Sequence, residues 1–166
     1  MDIGCSENCL RAEGGDFSMD GPLFPEFTVD EDALRAERLL VRLLELAALR
    51  SHRLAALARR RGAPGRVLAA MAEDCRRDFR RLAVLRFLIS GQPYCTKGSV
   101  PPLPRSTALA LRGCWLDAAV WQKVCESAAF SCSEPRLQAL FLSLSRRGAG
   151  HARALCTLLE QRCPPP

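Results

Sequence analysis

Residues 90–105 read Ser90-Gly-Gln-Pro-Tyr-Cys-Thr-Lys-Gly-Ser-Val-Pro-Pro-Leu-Pro-Arg105. Pro93, Pro101, Pro102 and Pro104 lack the N–H that a helix needs, so this stretch is barred from helix and favours an extended path. Helical patterns lie on both sides of it. Upstream they fill about residues 30–60 and 64–89, parted by Gly62 and Pro64; downstream they fill about 106–130 and 133–162, parted near Ser133 and Pro135. Both of those connections are only a few residues long, which makes each pair of helices antiparallel neighbours. The middle connection differs. A helix of about 26 residues is about 39 Å long, and sixteen extended residues reach about 50 Å, enough to return along the whole length of the helices. Short, long, short therefore predicts two helical hairpins joined by a crossover. A merely slack loop at 90–105 would leave simple up-down order instead.

Composition supports an all-helical chain. Leu, Ala and Arg dominate the 166 residues, while β-branched and aromatic residues are scarce. Apolar residues make up 48% and charged residues 25%, values of a globular domain large enough to bury a continuous core. The net charge of +6 is unevenly spread. Residues 1–32 hold nine acids against Arg11 alone, a charge of −8, and the remainder carries +14. The Gly- and Pro-bearing residues 1–27 show no apolar periodicity and read as a mobile acidic arm. Residues 28–163 form the predicted domain, opened by Thr28 and Glu31 as a capping box with Asp30 and Asp32 beside it. Ser106 and Ser133 are the predicted caps of the third and fourth helices.

The nine cysteines form no Cys-x-x-Cys pair and no zinc-finger spacing. Cys75, Cys114, Cys125 and Cys156 fall within helical patterns and read as small hydrophobes. An odd count without a signal peptide points to a reducing cytoplasm. Arginines interrupt every apolar run before it could span a bilayer, which excludes membrane crossing.

The apolar stripe of each helix carries an ionisable residue near its middle. Helix 2 runs Leu68, Met71, Cys75, Asp78, Leu82, Leu85, Ile89, and helix 4 runs Leu137, Phe141, Leu144, Gly148, His151, Leu155, Leu158. Helix 1 aligns Val41, Glu45, Ala48, His52 and Ala55; helix 3 aligns Ala110, Cys114, Asp117, Trp121 and Val124. A buried carboxylate needs a partner or an ion. Convergence of Glu45, Asp78, Asp117 and His151 would supply one, with Cys75 and His52 nearby; a buried Asp78–His151 pair would need no ion. Trp115, Trp121 and Phe141 read as core.

At these positions the chain resembles the small bacterial rubrerythrin-type, ferritin-like proteins. Met71-Ala-Glu-Asp-Cys-Arg-Arg-Asp-Phe-Arg-Arg-Leu82, followed by Phe87-Leu-Ile-Ser-Gly-Gln-Pro-Tyr94, is similar to the segment where that family carries Glu-x-x-His and then an aromatic-Leu-x-Thr-Gly ending. Glu45 and His52 match the family's first-helix Glu and the Tyr seven positions on, and Gly148-x-x-His151 matches its fourth-helix Glu-x-x-His. The resemblance covers about residues 30–162. It implies a ferritin-like antiparallel four-helix bundle with a long crossover between helices 2 and 3, and a metal site of Glu45, Asp78, Asp117 and His151. It also exposes the departures: Glu-x-x-His has become Cys75-x-x-Asp78, and a ligand Glu has become Gly148. Two irons need several carboxylates, so a standard di-iron centre is not expected.

The first functional expectation is a binding or structural protein without catalytic residues, cofactor or metal. The second is an oxidoreductase of peroxide or dioxygen that binds iron or another divalent metal at the altered site. A third is association with nucleic acid through Arg59, Arg60, Arg61, Arg76, Arg77, Arg80 and Arg81, by phosphate contacts alone because no base-reading motif appears. A homodimer stays open. Phosphate-loop and nucleophile-elbow motifs are missing, which removes P-loop and serine-hydrolase chemistry.

Overall fold

The computed structural model describes residues 31–95 and 100–162; among these there are four α-helices and no strand. They are α1 (Glu31–Ala58), α2 (Gly65–Ser90), α3 (Thr107–Phe130) and α4 (Pro135–Glu160). The predicted arm at 1–27 and the Thr28 capping box lie outside the described residues.

Local chemistry sets the helix ends. Gly62, with φ of 73°, turns the chain out of α1, and Gly91, with φ of 68°, closes α2 while its N–H donates to the Phe87 carbonyl at 2.8 Å. The Ser106 hydroxyl caps α3 by accepting from the Leu109 N–H at 3.4 Å. At α4 the cap is Glu134 rather than Ser133: its carboxylate accepts from the Leu137 N–H at 2.6 Å, and Pro135 takes the first helical turn. A carboxylate there also meets the positive end of the helix dipole.

α1 packs chiefly on α2 and α3 chiefly on α4, and α1 also runs beside α3. The buried side chains form two clusters. One gathers Leu43 and Leu44 of α1, Leu82 of α2, Trp121 and Cys125 of α3, and Leu144 of α4. The other gathers Leu54 and Leu57, Leu68 and Cys75, Leu111, and Leu155 from the same four helices. Between the two levels lie buried polar groups, among them Arg50, Asp78 and His151.

Two predicted stripes need correcting. On α1 the buried line is Leu40, Leu43, Leu44, Ala47, Arg50, Ser51, Leu54 and Leu57, while Glu45 and His52 are exposed. Leucines at 39, 40, 43, 44 and 46 permit more than one phase, and the phase that buries most leucine wins at about 1.5–3 kcal/mol for each. On α3, Ala118 and Cys125 take inward places, and Asp117 and Val124 sit at the edge. The α2 and α4 lines hold as far as Leu82 and Leu155, but Ile89 is half exposed. Trp121 and Phe141 are core, whereas Trp115 is only half-buried. No helix among the described residues is long and apolar enough to cross a membrane.

Candidate functional site

The polar groups at mid-bundle form two bonded sets side by side at one level. Arg50, 2% exposed, reaches from α1 across to α4, where its Nη2 lies 3.0 Å from His151 Nδ1. A guanidinium only donates, so Nδ1 must accept and the ring proton must sit on Nε2. That Nε2–H points to Asp74 Oδ2 on α2 at 3.2 Å. Asp74 is also paired with Arg77. Beside this chain, Arg147 of α4 donates to Asp78 Oδ1, and Asp78 is 1% exposed.

An aromatic wall completes the layer. The Arg50 guanidinium carbon stands 5.0 Å from the centre of a Trp121 ring, a cation–π distance. The indole N–H of Trp121 donates to the Leu144 carbonyl at 3.1 Å, which fixes the ring. Gly148 makes room for it: a Cβ there would come within 2.6 Å of Trp121 Cδ1. The position that the resemblance gives to a ligand Glu is therefore filled by the neighbouring indole.

Burial governs protonation here. It pushes Asp78 up to about 6, although Arg147 and Arg50 pull the other way. It also lowers His151, with the Arg50 charge acting in the same direction and Asp74 opposing. Burial alone would raise Asp74, but its hydrogen bonds with His151 and Arg77 prevail and hold it below the ordinary carboxylate value. The buried Cys75 and Cys114 thiols rise to about 11 and Cys125 to about 12, chiefly by desolvation. They are inert packing groups at neutral pH. Cys156, read with them as a small hydrophobe, is instead exposed, with its thiol 3.5 Å from Glu160 Oε1.

The four predicted ligands do not meet. Glu45 is at the surface beside Glu37, Arg38 and Arg42. Asp117 accepts from Arg53 at 2.7 Å. Asp78 and His151 share the layer, but each is bonded to its own partners rather than to the other. Among the described residues no three His, Cys, Asp or Glu side chains gather closely enough to hold a metal ion. The layer sets two carboxylates, Asp74 and Asp78, against three guanidinium groups, so positive charge is already in place where a cation would go. Several of the arginines singled out for nucleic acid also have partners within the chain: Arg60 donates to the carbonyls of residues 103–105, Arg76 and Arg80 meet Glu73, and Arg77 meets Asp74.

No family model, curated protein or solved structure is similar to the chain at a significant level. The sequence stripes missed Arg50, Arg147 and Asp74. A signal existed for Arg50, which stands seven residues after Leu43 and four before Leu54 and so falls on the stripe that the leucines define. Arg147 likewise stands three after Leu144 and four before His151.

Proposed function

We propose that the chain is a ferritin-like, rubrerythrin-like bundle in which the level of the di-iron centre has become a permanent ion-pair layer, and that it serves as a non-catalytic binding or structural protein. Its helix directions support the connectivity. The first half of α1 shares a cluster with the second halves of α2 and α3 and with the first half of α4, and the complementary halves share the other cluster. α1 and α4 then run together, opposite to α2 and α3, and parallel second and third helices are what the crossover of a ferritin-like fold requires.

The observation that carries the functional reading is Arg50. A buried guanidinium bonded to His151 and stacked on Trp121 occupies the centre of the layer. It repels a divalent cation, and it cannot be deprotonated to make way for one. Elemental analysis of protein purified in air without chelator, paired with melting curves in iron(II), manganese(II) and zinc, tests this. Metal far below one equivalent and unchanged melting are expected. A stoichiometric ion whose removal lowers the melting temperature would overturn the reading in favour of a metal-dependent oxidoreductase.

A further inference from the structure

Between α1 and α2 lies a surface cleft of about 470 Å³. Its lining includes Ser51, His52 and Arg59 from the α1 side, and Arg76 and Phe79 from α2; Ala48 and Ala55 supply only methyl groups, which keeps the space open. No carboxylate lines it. Every polar group that does is a hydrogen-bond donor or carries one, and two are guanidinium groups.

The donors are available. Ser51 is 7% exposed and lines the cleft. Its hydroxyl is not one of the buried atoms shut off from a partner, so what exposure it has faces the cleft, where it can donate. Arg59 and His52 have no ion pair or hydrogen bond among the described residues. Arg76 meets Glu73 through Nε at 2.9 Å, which leaves its terminal nitrogens unassigned. Phe79 gives the cleft an apolar wall, and its ring is steadied edge-on by Tyr94 at 5.9 Å between centres.

We propose that this cleft binds a phosphate monoester, its phosphoryl oxygens held by Ser51, Arg59 and Arg76 with His52 alongside, and its organic part lying on Phe79. Arg59 and the outer nitrogens of Arg76, whose charge Glu73 offsets in part through Nε, suit a phosphoryl group, and guanidinium–phosphate contacts are the strong, charge-assisted kind. The site is separate from the buried ion-pair layer and does not depend on the proposed loss of iron.

Titration of the full chain with phenyl phosphate, inorganic phosphate and benzoate, followed by calorimetry at low salt, tests the assignment. Phenyl phosphate should saturate at submillimolar to low millimolar concentration, and inorganic phosphate and benzoate should bind more weakly. Arg59→Gln and Ser51→Ala should each weaken phenyl phosphate about tenfold, a change of about 1.4 kcal/mol. Because Arg59 is exposed, Arg59→Gln should leave the melting temperature of the unliganded protein unchanged. Arg136→Gln, at an exposed arginine on α4, should leave binding intact. Absence of saturation by phenyl phosphate, or an equal loss with Arg136→Gln, would overturn the proposal.

Discussion

The apolar clusters and the polar layer between them hold the bundle in different ways, and the layer, unlike the clusters, reaches solvent at Asp74 and Arg147. In the clusters, leucines such as Leu43, Leu44, Leu57 and Leu155 are 0% exposed, and an apolar side chain of similar volume would contribute much the same. In the layer, each group depends on a particular neighbour: Arg50 on His151 and Trp121, His151 on Asp74, Asp78 on Arg147. The desolvation of such charges offsets most of their attraction. The layer therefore adds little net stability and instead favours one register of the four helices over its neighbours. Two buried atoms without a partner, Arg50 Nε and Asp78 Oδ2, underline how close that balance runs.

Truncation and replacement separate the two regions most sharply. Leu44→Ala opens a cavity in an apolar cluster and should cost about 2–5 kcal/mol. Arg50→Ala also opens a cavity, against Trp121, and should fall in the same range of about 2–5 kcal/mol. Arg50→Met restores most of the volume but leaves His151 Nδ1 without its donor, so it should recover only the cavity part of the loss and still cost about 1–3 kcal/mol. Chemical denaturation of the three variants gives the comparison directly. If Arg50→Met were as damaging as Arg50→Ala, the guanidinium itself would be a major source of stability, and the contrast between layer and clusters would fail.

A smaller effect is expected where the two regions touch. Gly148 abuts Trp121, and Ala there would bring its Cβ within 2.6 Å of the indole and 3.4 Å of the Gln122 nitrogen. Trp121 is held by its bond to Leu144 and by Arg50, so it cannot swing aside freely. Gly148→Ala should therefore cost about 1–3 kcal/mol as overpacking, despite the better helix propensity of alanine. A stabilised Gly148→Ala protein would show that the indole has room to move.

The helices were legible in the sequence because their ends are written in local chemistry. Gly62, Gly91, Ser106 and Pro135 each act through their own backbone or through a neighbour within a few residues, and no tertiary partner is needed to read them. The site was half legible. Asp78 and His151 were found because single polar residues interrupt otherwise apolar lines on α2 and α4. Glu45 and Asp117 were misplaced because a Leu-rich α1 and an Ala-rich α3 are apolar on more than one face, and a shift of one residue turns the inward side by 100°. Arg50 was overlooked for a physical reason as well: arginine is almost never fully buried unless it has partners, and its partners lie 101 and 71 residues away, at His151 and Trp121.

The subtlest contrast concerns pH, because the clusters do not titrate near neutrality and the layer does. Asp78 sits at about 6 when folded, against about 3.9 in an unfolded chain. Between those values the folded protein keeps a proton that the unfolded one has lost, so the stability owed to Asp78 is full below pH about 4 and is lost as pH rises through 6. His151 acts in the opposite sense. Its folded value is lowered, so the unfolded chain takes up a proton first, and its contribution is full above pH about 6.5 and falls on acidification. Asp74, also lowered, loses its contribution only below about 4. From pH 7 to 5 the Asp78 and His151 slopes oppose, and the wild-type melting temperature should change little. Asp78→Asn removes one side of that opposition and leaves His151 acting alone. Its melting temperature should then drop by a few degrees over the same interval, at about 2–4 °C per kcal/mol for a chain of this size. Melting curves for the two proteins that stay parallel from pH 7 to 5 would mean that Asp78 keeps one protonation state throughout, held by Arg147 more firmly than its burial can undo.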